Sequence, residues 1–341
     1  MPATRAPLLL VADGNSLLHH AHHAAAIEGA RDHIGRPVWA LKGLVGYLAR
    51  AAAQLRPDAV IVGFDCPDYS ARKAQYPPYR ASRRATPKDL AHQIVEGPDL
   101  LWAAGVCTVS PPAFEASDAL ASCAEQARLR GWQSVLLTAD RDAFALINES
   151  TSVIRIRNGG FDSAVMVDAP RLVNTCGVQP WQYRDYSALR GEPSDNLHGV
   201  SRFRAATAAR LLNVFGTVDA AWATIDRGDT QSVRAAVGEL AAEQLGIPEA
   251  RDIVDRNRSL MNLRVALPMP KLETAMLPLD PGAVNKVLSS RGIELDAPLW
   301  ALTSPADPAK PTVEKPPAVR KARRKAREQI PGQLSLFEIN G

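Results

Sequence analysis

The chain contains 341 residues, of which 46% are hydrophobic and 22% are charged, and its net charge at pH 7 is +4. This composition excludes a disordered or fibrous protein, and the length suffices for two domains with a sizeable core. No apolar run approaches the roughly 18 residues that a transmembrane helix needs, and residues 1–12 lack the features of a signal peptide. The four cysteines form no CxxC pair, so we expect a reduced, cytoplasmic protein that does not contact a membrane.

The positive charge is concentrated near the C-terminal end. Residues 304–341 contain eight basic and four acidic residues, a surplus equal to the net charge of the whole chain. Residues 1–303 are therefore electrically balanced, and any polyanion that they bind must contact locally clustered basic side chains. Residues 304–330 are also rich in proline, which predicts a disordered linker followed by a basic segment at 320–327.

Three short apolar runs predict buried strands, and each ends on an aspartate: 8–13, 59–65 and 134–140. Helical patterns lie between and beside them at 15–27, 38–55, 89–104 and 115–130. Strands that alternate with helices favour an α/β fold with a parallel sheet. From about residue 181 the pattern is helical, with helices predicted at 182–189, 204–215, 218–225, 232–245, 249–261 and 282–291.

Acidic residues are expected to meet at one edge of this sheet, because parallel sheets bind ligands beyond the carboxyl ends of their strands. These residues are Asp13, Asp65, Glu115, Asp118, Asp140 and Asp142. Each could be an ordinary turn or cap residue that favours the positive end of a helix dipole. Six carboxylates at one edge, however, raise one another's pKa values unless cations compensate them. The sequence therefore predicts a site for divalent metal ions, Mg²⁺ or Mn²⁺.

The segment after the second strand, residues 63–87, interleaves tyrosines with basic residues. Its candidate binding residues are Arg72, Lys73, Tyr76, Tyr79, Arg80, Arg83 and Arg84. Basic side chains bind phosphates and tyrosine rings stack on unpaired bases, so the pattern is typical of binding to single-stranded nucleic acid. A solvated surface loop is the alternative. The position directly after Asp65, above the acidic residues, favours the nucleic-acid interpretation.

Two further motifs have competing interpretations. The histidine-rich run 19–23 could bind zinc, but only some of its members share a helix face and no cysteine accompanies them. A helix that lines the acidic crevice and directs one or two histidines at phosphate is favoured instead. Glu192 and Asp195 suit either a helix start or the metal site, while Arg202 and Arg204 would give the helical region a phosphate-binding side.

Five ordered sequence blocks resemble the 5′→3′ exonuclease and flap endonuclease family, which includes the 5′-nuclease domain of bacterial DNA polymerase I. They are VADGNSLLHHAHHA, VGFDCPDYSARKAQYPPYRASRR, FEASDALA, LTADRD and RGEPSDNLHGV. The resemblance extends over roughly residues 7–295. We expect a stand-alone version of the nuclease, since no polymerase domain follows in the sequence.

The resemblance implies a resolvase-like (PIN-like) catalytic domain at 1–180, in which a parallel sheet flanked by helices binds two divalent ions at its acidic edge. A helical arch at about 66–90 would admit a single-stranded 5′ end. A helical domain at 181–303, with a helix–three-turn–helix unit, would grip the adjoining duplex DNA. Residues 304–341 would form the disordered basic tail.

The family's site residues carry over by position. The implied metal ligands are Asp13, Asp65, Glu115, Asp118, Asp140, Asp142, Glu192 and Asp195. Arg80 takes the place of the arch lysine that neutralises the attacked phosphate, so Arg80, Asp140 and Asp142 are the implied catalytic residues. Tyr79 and Arg83 match the neighbours of that lysine, and His20 occupies a position where arginine is common.

Three departures from the family pattern bear on activity. Ser117 replaces an aspartate, which removes one charged ligand and predicts weaker metal binding. Glu192 replaces an aspartate and lengthens its reach. In the hairpin of the duplex-binding unit, Arg202 and Arg204 replace two glycines, which disfavours a K⁺ ion bound by the loop carbonyls and supplies new phosphate contacts instead.

The C-terminal GQLSLF (332–337) resembles the peptide that binds the bacterial sliding clamp. Its motif comprises Gln333, Leu334, Ser335, Leu336 and Phe337. The glutamine would enter a polar pocket while Leu336 and Phe337 fill an apolar groove, and a flexible basic linker would expose the peptide. The alternative is that these apolar side chains dock on the protein's own surface.

The sequence thus predicts a monomeric, divalent-metal-dependent nuclease that acts on DNA with 5′ flaps or 5′ single-stranded ends in replication or repair. It would be tethered to the sliding clamp. Ser117 and the altered hairpin motivate one alternative, a flap-binding protein that hydrolyses poorly. A PIN-type ribonuclease, which would share the acidic sheet edge, is the other.

Overall fold

The computed structural model describes residues 5–25, 29–158, 160–295 and 298–305. The first half of the chain forms a sheet of six strands: β1 (Leu8–Asp13), β2 (Ala59–Gly63), β3 (Cys107–Val109), β4 (Gln133–Thr138), β5 (Thr151–Arg157) and β6 (Gly160–Val167). Their order is β3-β2-β1-β4-β5-β6. All neighbouring pairs are parallel except β5 and β6. The predicted α/β fold with a parallel sheet is confirmed.

The central strands are apolar throughout because both faces of the sheet are covered. All six residues of β1 are buried. Since successive side chains of a strand point to opposite faces, Leu9 and Val11 enter one hydrophobic core, while Leu10 and Ala12 enter the other. The apolar run ends at Asp13, which is the last residue of the strand.

The helices of this half are α1 (Gly14–Ala25), α2 (Trp39–Leu55), α3 (Ala71–Gln75), α4 (Lys88–Ala103), α5 (Ala116–Leu129) and α6 (Ala169–Cys176). Helices α1, α2 and α4 share the core of one face, and α5 packs on the other. The four helices predicted here are confirmed to within two residues at the ends that the structure describes. Residues 26–28, the predicted end of α1, lie outside the described residues.

The second half is helical, with α7 (Tyr183–Arg190), α8 (Ala205–Phe215), α9 (Val218–Asp226), α10 (Thr230–Val237), α11 (Glu239–Gly246), α12 (Pro248–Leu260), α13 (Pro281–Ser290) and α14 (Trp300–Thr303). A short hairpin of β7 (Gly191–Glu192) and β8 (Leu197–His198) follows α7. The single helix predicted at 232–245 is wrong. Gly238 adopts a φ of 90° and divides the segment into α10 and α11.

The last described helices return to the sheet. Residues of α13 and α14, among them Val284, Leu288 and Leu302, belong to the same hydrophobic core as α2 and α4. None of the helices in the described part of the chain combines the length and hydropathy that crossing a bilayer requires. Residues 306–341, with the predicted tail and the clamp motif at 333–337, lie outside the described residues. The domain boundaries at 180 and 303 stay predictions.

Candidate active site

The carboxyl ends of the central strands open into a cleft of about 600 Å³. Five of the eight acids predicted as metal ligands line it: Asp13, Asp65, Glu115, Asp140 and Glu192. They come from five separate stretches of chain. Three of these are the ends of β1, β2 and β4, which are neighbours in the sheet and parallel, so that Asp13, Asp65 and Asp140 meet at one edge. The predicted convergence of acids at this edge is therefore present for these five residues.

Asp13 occupies the centre of this edge and is 5% exposed. One carboxylate oxygen accepts a hydrogen bond from the Ser16 amide at 2.9 Å, and the other accepts one from the Thr138 hydroxyl at 2.9 Å. Burial, with repulsion from Asp65 and Asp140, nevertheless raises the pKa of Asp13 to about 7. The carboxylate is thus held in place without a compensating positive charge.

Asp140 and Asp142 follow β4 at the start of a 3₁₀ turn. The Asp142 amide donates a hydrogen bond to the Asp140 carboxylate at 3.0 Å. Burial raises the pKa of both groups, and repulsion from Asp140, Asp195 and Glu192 raises that of Asp142 further. The charge of Asp140 also contributes to the raised pKa of Asp13. These acids therefore behave as one electrostatically coupled cluster.

Asp65 and Glu115 connect β2 with the start of α5. The Asp65 carboxylate accepts a hydrogen bond from the Ala116 amide at 2.8 Å, and the Asp65 amide donates to the Asn15 side chain at 2.9 Å. Glu115 is the N-cap residue of α5. Its pKa is raised by burial, against the opposing effect of nearby arginines. The free amides of a helix start thus orient the acids here.

Basic residues of the segment after α3 compensate the other side of the cleft. Arg80 contacts Glu115 at 3.1 Å and Asp195 at 3.1 Å, and Arg83 contacts Asp195 at 2.5 Å. Arg80 adopts a left-handed φ of 56°, which a residue other than glycine rarely does. Its amide also donates to the Asp195 carbonyl at 2.9 Å. Arg80 and Arg83 therefore hold Asp195, which does not line the cleft, against this segment.

The structure corrects the predicted roles of Asp118 and Arg72. Asp118 is fully buried, and the guanidinium of Arg72 donates hydrogen bonds of 2.6 and 2.8 Å to its two carboxylate oxygens. The amides of Glu115 and Arg264 donate to the same carboxylate. Arg72, 8% exposed, also donates to the carbonyl of Leu260 at 2.7 Å. Asp118 thus cannot reach an ion in the cleft, and Arg72 is closed to DNA phosphates.

Tyr79 is also placed differently from the prediction. It is 4% exposed, and its hydroxyl lies 3.2 Å from Glu115 and 3.4 Å from Asp195. Burial is the main reason that its pKa is raised. The ring cannot stack on a base, so the prediction of DNA contact is wrong for Tyr79. Tyr76 is half-buried beneath the guanidinium of Arg256, whose centre lies 5.2 Å from the ring centroid.

Three other predicted site residues, together with Ser117, face solvent or the cleft. Lys73 is exposed on α3, and Arg84 lies on the cleft wall with His20. Ser117 lines the cleft where the family pattern would place a carboxylate. The segment predicted as an arch, 66–90, contains the five-residue α3 and the beginning of α4, joined by turn and coil.

In the hairpin region the backbone at Gly191 approaches the backbone at Gly199 closely, despite the substitutions nearby. A side chain on Gly191 would meet the Gly199 amide nitrogen at 2.3 Å, so the glycine at this position is required by contact. Arg202 adopts a left-handed φ of 68°, the conformation that glycine accommodates most easily. Arg202 and Arg204 are both exposed, as phosphate contacts require.

Three arginines of the cleft wall were missed by sequence reasoning. Arg141, Arg155 and Arg190 come from the turn after β4, from β5 and from the end of α7. Arg190 directly precedes the Gly191-Glu192 motif, and Arg141 lies between two predicted ligands. The sequence shows that Arg141 and Arg190 are close to predicted ligands along the chain. Arg155 could not be placed because β5 was not predicted.

The chemistry of the acids fits divalent cations, although no three described acidic, histidine or cysteine side chains surround a single point as a ready-made site. Among the residues described, no basic side chain forms an ion pair with Asp13, Asp140 or Asp142. Burial, followed by repulsion from neighbouring acids, raises the pKa of all three. Mg²⁺ and Mn²⁺ bind hard oxygen donors, and carboxylates whose negative charge is not neutralised by a neighbouring basic residue provide them.

Both halves of the chain match known protein families. Residues 8–176 match the N-terminal resolvase-like domain of 5′-3′ exonucleases, and residues 178–281 match their C-terminal SAM fold. Over 255 residues the chain is 32% identical to DNA polymerase I of Mycobacterium tuberculosis. That alignment covers 74% of this chain but only 28% of the polymerase.

Two solved structures share the fold. The T5 5′-exonuclease with bound divalent zinc ions has a TM-score of 0.57 and 16% identity, covering 75% of this chain and 89% of its own. The catalytic core of Rad2 in complex with DNA substrate has a TM-score of 0.53 and 14% identity, covering 88% of this chain and 91% of its own. With a matching resolvase-like domain, a matching SAM fold and a carboxylate-lined cleft between the strand ends, the chain belongs to the 5′-3′ exonuclease family.

Proposed function

We propose that this chain is a divalent-metal-dependent nuclease that hydrolyses DNA phosphodiesters at 5′ flaps or single-stranded 5′ ends. The observation that carries the proposal is the cluster of buried Asp13 with half-buried Asp140 and Asp142, carboxylates that form no ion pair among the described residues. Membership of the 5′-3′ exonuclease family supports it. Similar folds bind metal ions in the T5 5′-exonuclease and DNA in Rad2.

The acids of the cleft would hold the ions. They are Asp13, Asp65, Glu115, Asp140 and Glu192, with Asp142 and Asp195 beside them. When bound, divalent ions polarise the phosphodiester, activate a water molecule and stabilise the leaving oxygen. Carboxylates that do not contact an ion would accept hydrogen bonds from that water and orient it.

The basic side of the cleft would bind the substrate strand. Arg80 and Arg83 now contact carboxylates, and metal ions that neutralise those carboxylates would free the guanidinium groups for phosphate oxygens. His20 lines the same cleft. Exposed Lys73 and Arg84 lie along the segment that a single strand would follow, and Arg202 and Arg204 would contact the duplex backbone.

The experiment is cleavage of a 5′-flap duplex carrying a fluorescent label at the 3′ end of the flap strand, with Mg²⁺ or Mn²⁺ and with EDTA. We expect metal-dependent products from the wild type and none from Asp140→Asn. A flap of identical sequence made of RNA distinguishes a DNA nuclease from a ribonuclease that shares the acidic edge. Absence of products with both metals on DNA would overturn the proposal.

Two observations favour a second candidate, a protein that binds flaps but hydrolyses them poorly. Ser117 supplies a hydroxyl to the cleft where a charged ligand is expected. Arg202 occupies a left-handed backbone position in the duplex-binding hairpin. This candidate predicts a mobility shift of flap DNA with wild-type protein and no cleavage, so the same assay separates the two.

The proposed partners and location follow from the family. We propose a monomer that acts on nucleoid DNA in the cytoplasm and is tethered to the sliding clamp. The motif for that tether, 333–337, lies outside the described residues, so clamp binding stays a prediction. Deletion of 333–337 should abolish binding to the purified clamp β subunit while leaving flap cleavage without clamp unchanged.

A further inference from the structure

A second group of basic residues lines the cleft besides Arg80 and Arg83. It consists of Arg141, Arg155 and Arg190, and we call it the arginine wall. Its three members come from the turn after β4, from β5 and from the C-terminal end of α7. Three separate elements of the fold thus place a guanidinium group in the same cleft.

The arginine wall differs from the other clustered arginines in its lack of acidic partners. Arg72, Arg80, Arg83 and Arg258 all contact carboxylates at 3.1 Å or less. Within the described chain, no carboxylate lies within ion-pair distance of the arginine wall. The Arg155 side chain donates only to the carbonyl of Ala139 at 3.4 Å.

The three arginines line one cleft, and their charges act on shared neighbours. The pKa of Arg155 is lowered by burial and by the positive charges of Arg141 and Arg157. Burial raises the pKa of the Cys176 thiol, and the charges of Arg141, Arg190 and Arg155 all oppose that rise. The positive charges of all three therefore act on the same thiol. Arg155 and Arg190 are half-buried and Arg141 is exposed, and like charges without a counter-ion attract an anion from outside.

We infer that the arginine wall is a subsite for the terminal phosphate monoester of a 5′ end, an inference that rests on the proposed function. A phosphate monoester carries a charge of about −1.5 to −2 at pH 7 and three acceptor oxygens. It matches several guanidinium groups better than an internal phosphodiester, which carries a single charge. Arginine forks bind such oxygens with strong, charge-assisted hydrogen bonds.

The position of the wall gives the subsite a role in substrate choice. Arg141 adjoins Asp140 in sequence, and the Asp140 charge reaches Arg155. A terminal phosphate held by the wall would place the first nucleotides of the strand within the same cleft as the acids. The protein would therefore favour 5′-phosphorylated ends over 5′-hydroxyl ends, and cleavage close to the end.

The test compares two oligonucleotide duplexes with short single-stranded 5′ ends, identical except for a 5′-phosphate or a 5′-hydroxyl. Binding is measured by fluorescence anisotropy in EDTA, and cleavage by product release with Mg²⁺. We expect wild-type protein to bind and to cleave the phosphorylated end at least about tenfold better, the effect of one charge-assisted hydrogen bond. Arg190→Gln, at the surface of the cleft, and Arg155→Gln should each reduce that ratio toward one.

The matched control is Arg157→Gln, which removes an exposed arginine on the same strand outside the cleft and should keep the wild-type ratio. Equal binding of both ends by the wild type, or a ratio unchanged in Arg190→Gln and Arg155→Gln, overturns the inference. Failure to cleave either duplex, with the binding preference intact, instead contradicts the proposed nuclease function and leaves the phosphate subsite supported.

Discussion

The acids around the cleft fall into two groups that carry the same charge in different surroundings. Glu115, Asp118 and Asp195, the paired acids, contact the guanidinium groups of Arg72, Arg80 and Arg83. Asp13, Asp140 and Asp142, the unpaired acids, have no basic partner among the described residues, although the carboxylates of Asp13 and Asp140 each accept a hydrogen bond. The predictions that follow exploit this contrast.

The contrast separates structural acids from candidate metal ligands. An ion pair that is buried and satisfied from every side, such as Asp118 with Arg72, stabilises the fold only as long as both members are present. A buried carboxylate without compensation destabilises the protein alone and binds a cation that neutralises it. Similar acids near one sheet edge can therefore have opposite effects on stability and activity.

The largest expected effect is on catalysis, at an unpaired acid. Asp140→Asn should reduce flap cleavage about a thousandfold or more, which corresponds to roughly 4 kcal/mol of transition-state stabilisation. The same change should raise stability without metal by about 1 kcal/mol, because it removes a buried repulsive charge. Cleavage kinetics and urea unfolding in EDTA measure the two effects. Asp252→Asn, at an exposed aspartate of α12, should change neither.

The paired acids are expected to respond in stability. Arg72→Ala should lower the free energy of unfolding by about 3–5 kcal/mol, because it leaves Asp118 buried without its partner. Lys73→Ala, at the exposed neighbouring position, should change it by less than about 0.5 kcal/mol. Should Arg72→Ala weaken flap binding at unchanged stability, Arg72 would contact DNA after all and the pairing argument would be wrong.

The raised pKa of Asp13 predicts a pH dependence of stability. The group has a pKa of about 7 in the folded protein and 3.8 as its ordinary value, so the folded state binds the proton more tightly. Stability contributed by that proton is present below about pH 4 and is lost as pH rises to about 7. The change is on the order of 4 kcal/mol. Unfolding in EDTA across this range should show a larger decline for wild type than for Asp13→Asn, and equal declines would contradict the assignment.

The smallest expected effect concerns the missing ligand. Ser117→Asp would restore a carboxylate on the cleft wall and should tighten binding of Mn²⁺ by about tenfold, or roughly 1.4 kcal/mol. Asparagine has about the size of aspartate but carries no charge. Ser117→Asn is therefore the matched control and should leave the Mn²⁺ affinity near that of the wild type. Isothermal titration calorimetry measures both, and equal affinities for the two variants would show that Ser117 lies outside the ion's reach.

The sequence predicted the centre of the sheet because burial on both faces leaves an unmistakable apolar run, as in β1 and β2. It did not predict β5 and β6, whose antiparallel edge strands mix Arg155 and Arg157 with apolar residues. The short β3 was also missed, since three half-buried residues make no pattern. The break at Gly238 was not recognised because the apolar spacing continues across it.

The site was predictable to the extent that strand ends determine it. Asp13, Asp65 and Asp140 follow from the parallel order, and Glu115 from the start of α5. The pairing of Arg72 with Asp118 joins residues 46 positions apart and depends on how α3 packs, which periodicity does not reveal. The burial of Tyr79 has the same origin. The arginine wall was not predicted because Arg155 belongs to β5, a strand that the sequence did not indicate.

Titration of Mn²⁺ into metal-free protein at pH 6.5, with heat and released protons recorded, tests the central claim most directly. The unpaired acids should bind the ion, and release protons because Asp13 is partly protonated at this pH. Binding should be lost in Asp140→Asn, and proton release reduced in Asp13→Asn. Absence of binding by the wild type, or full binding by Asp140→Asn, would contradict the assignment of this cleft as a metal-dependent active site.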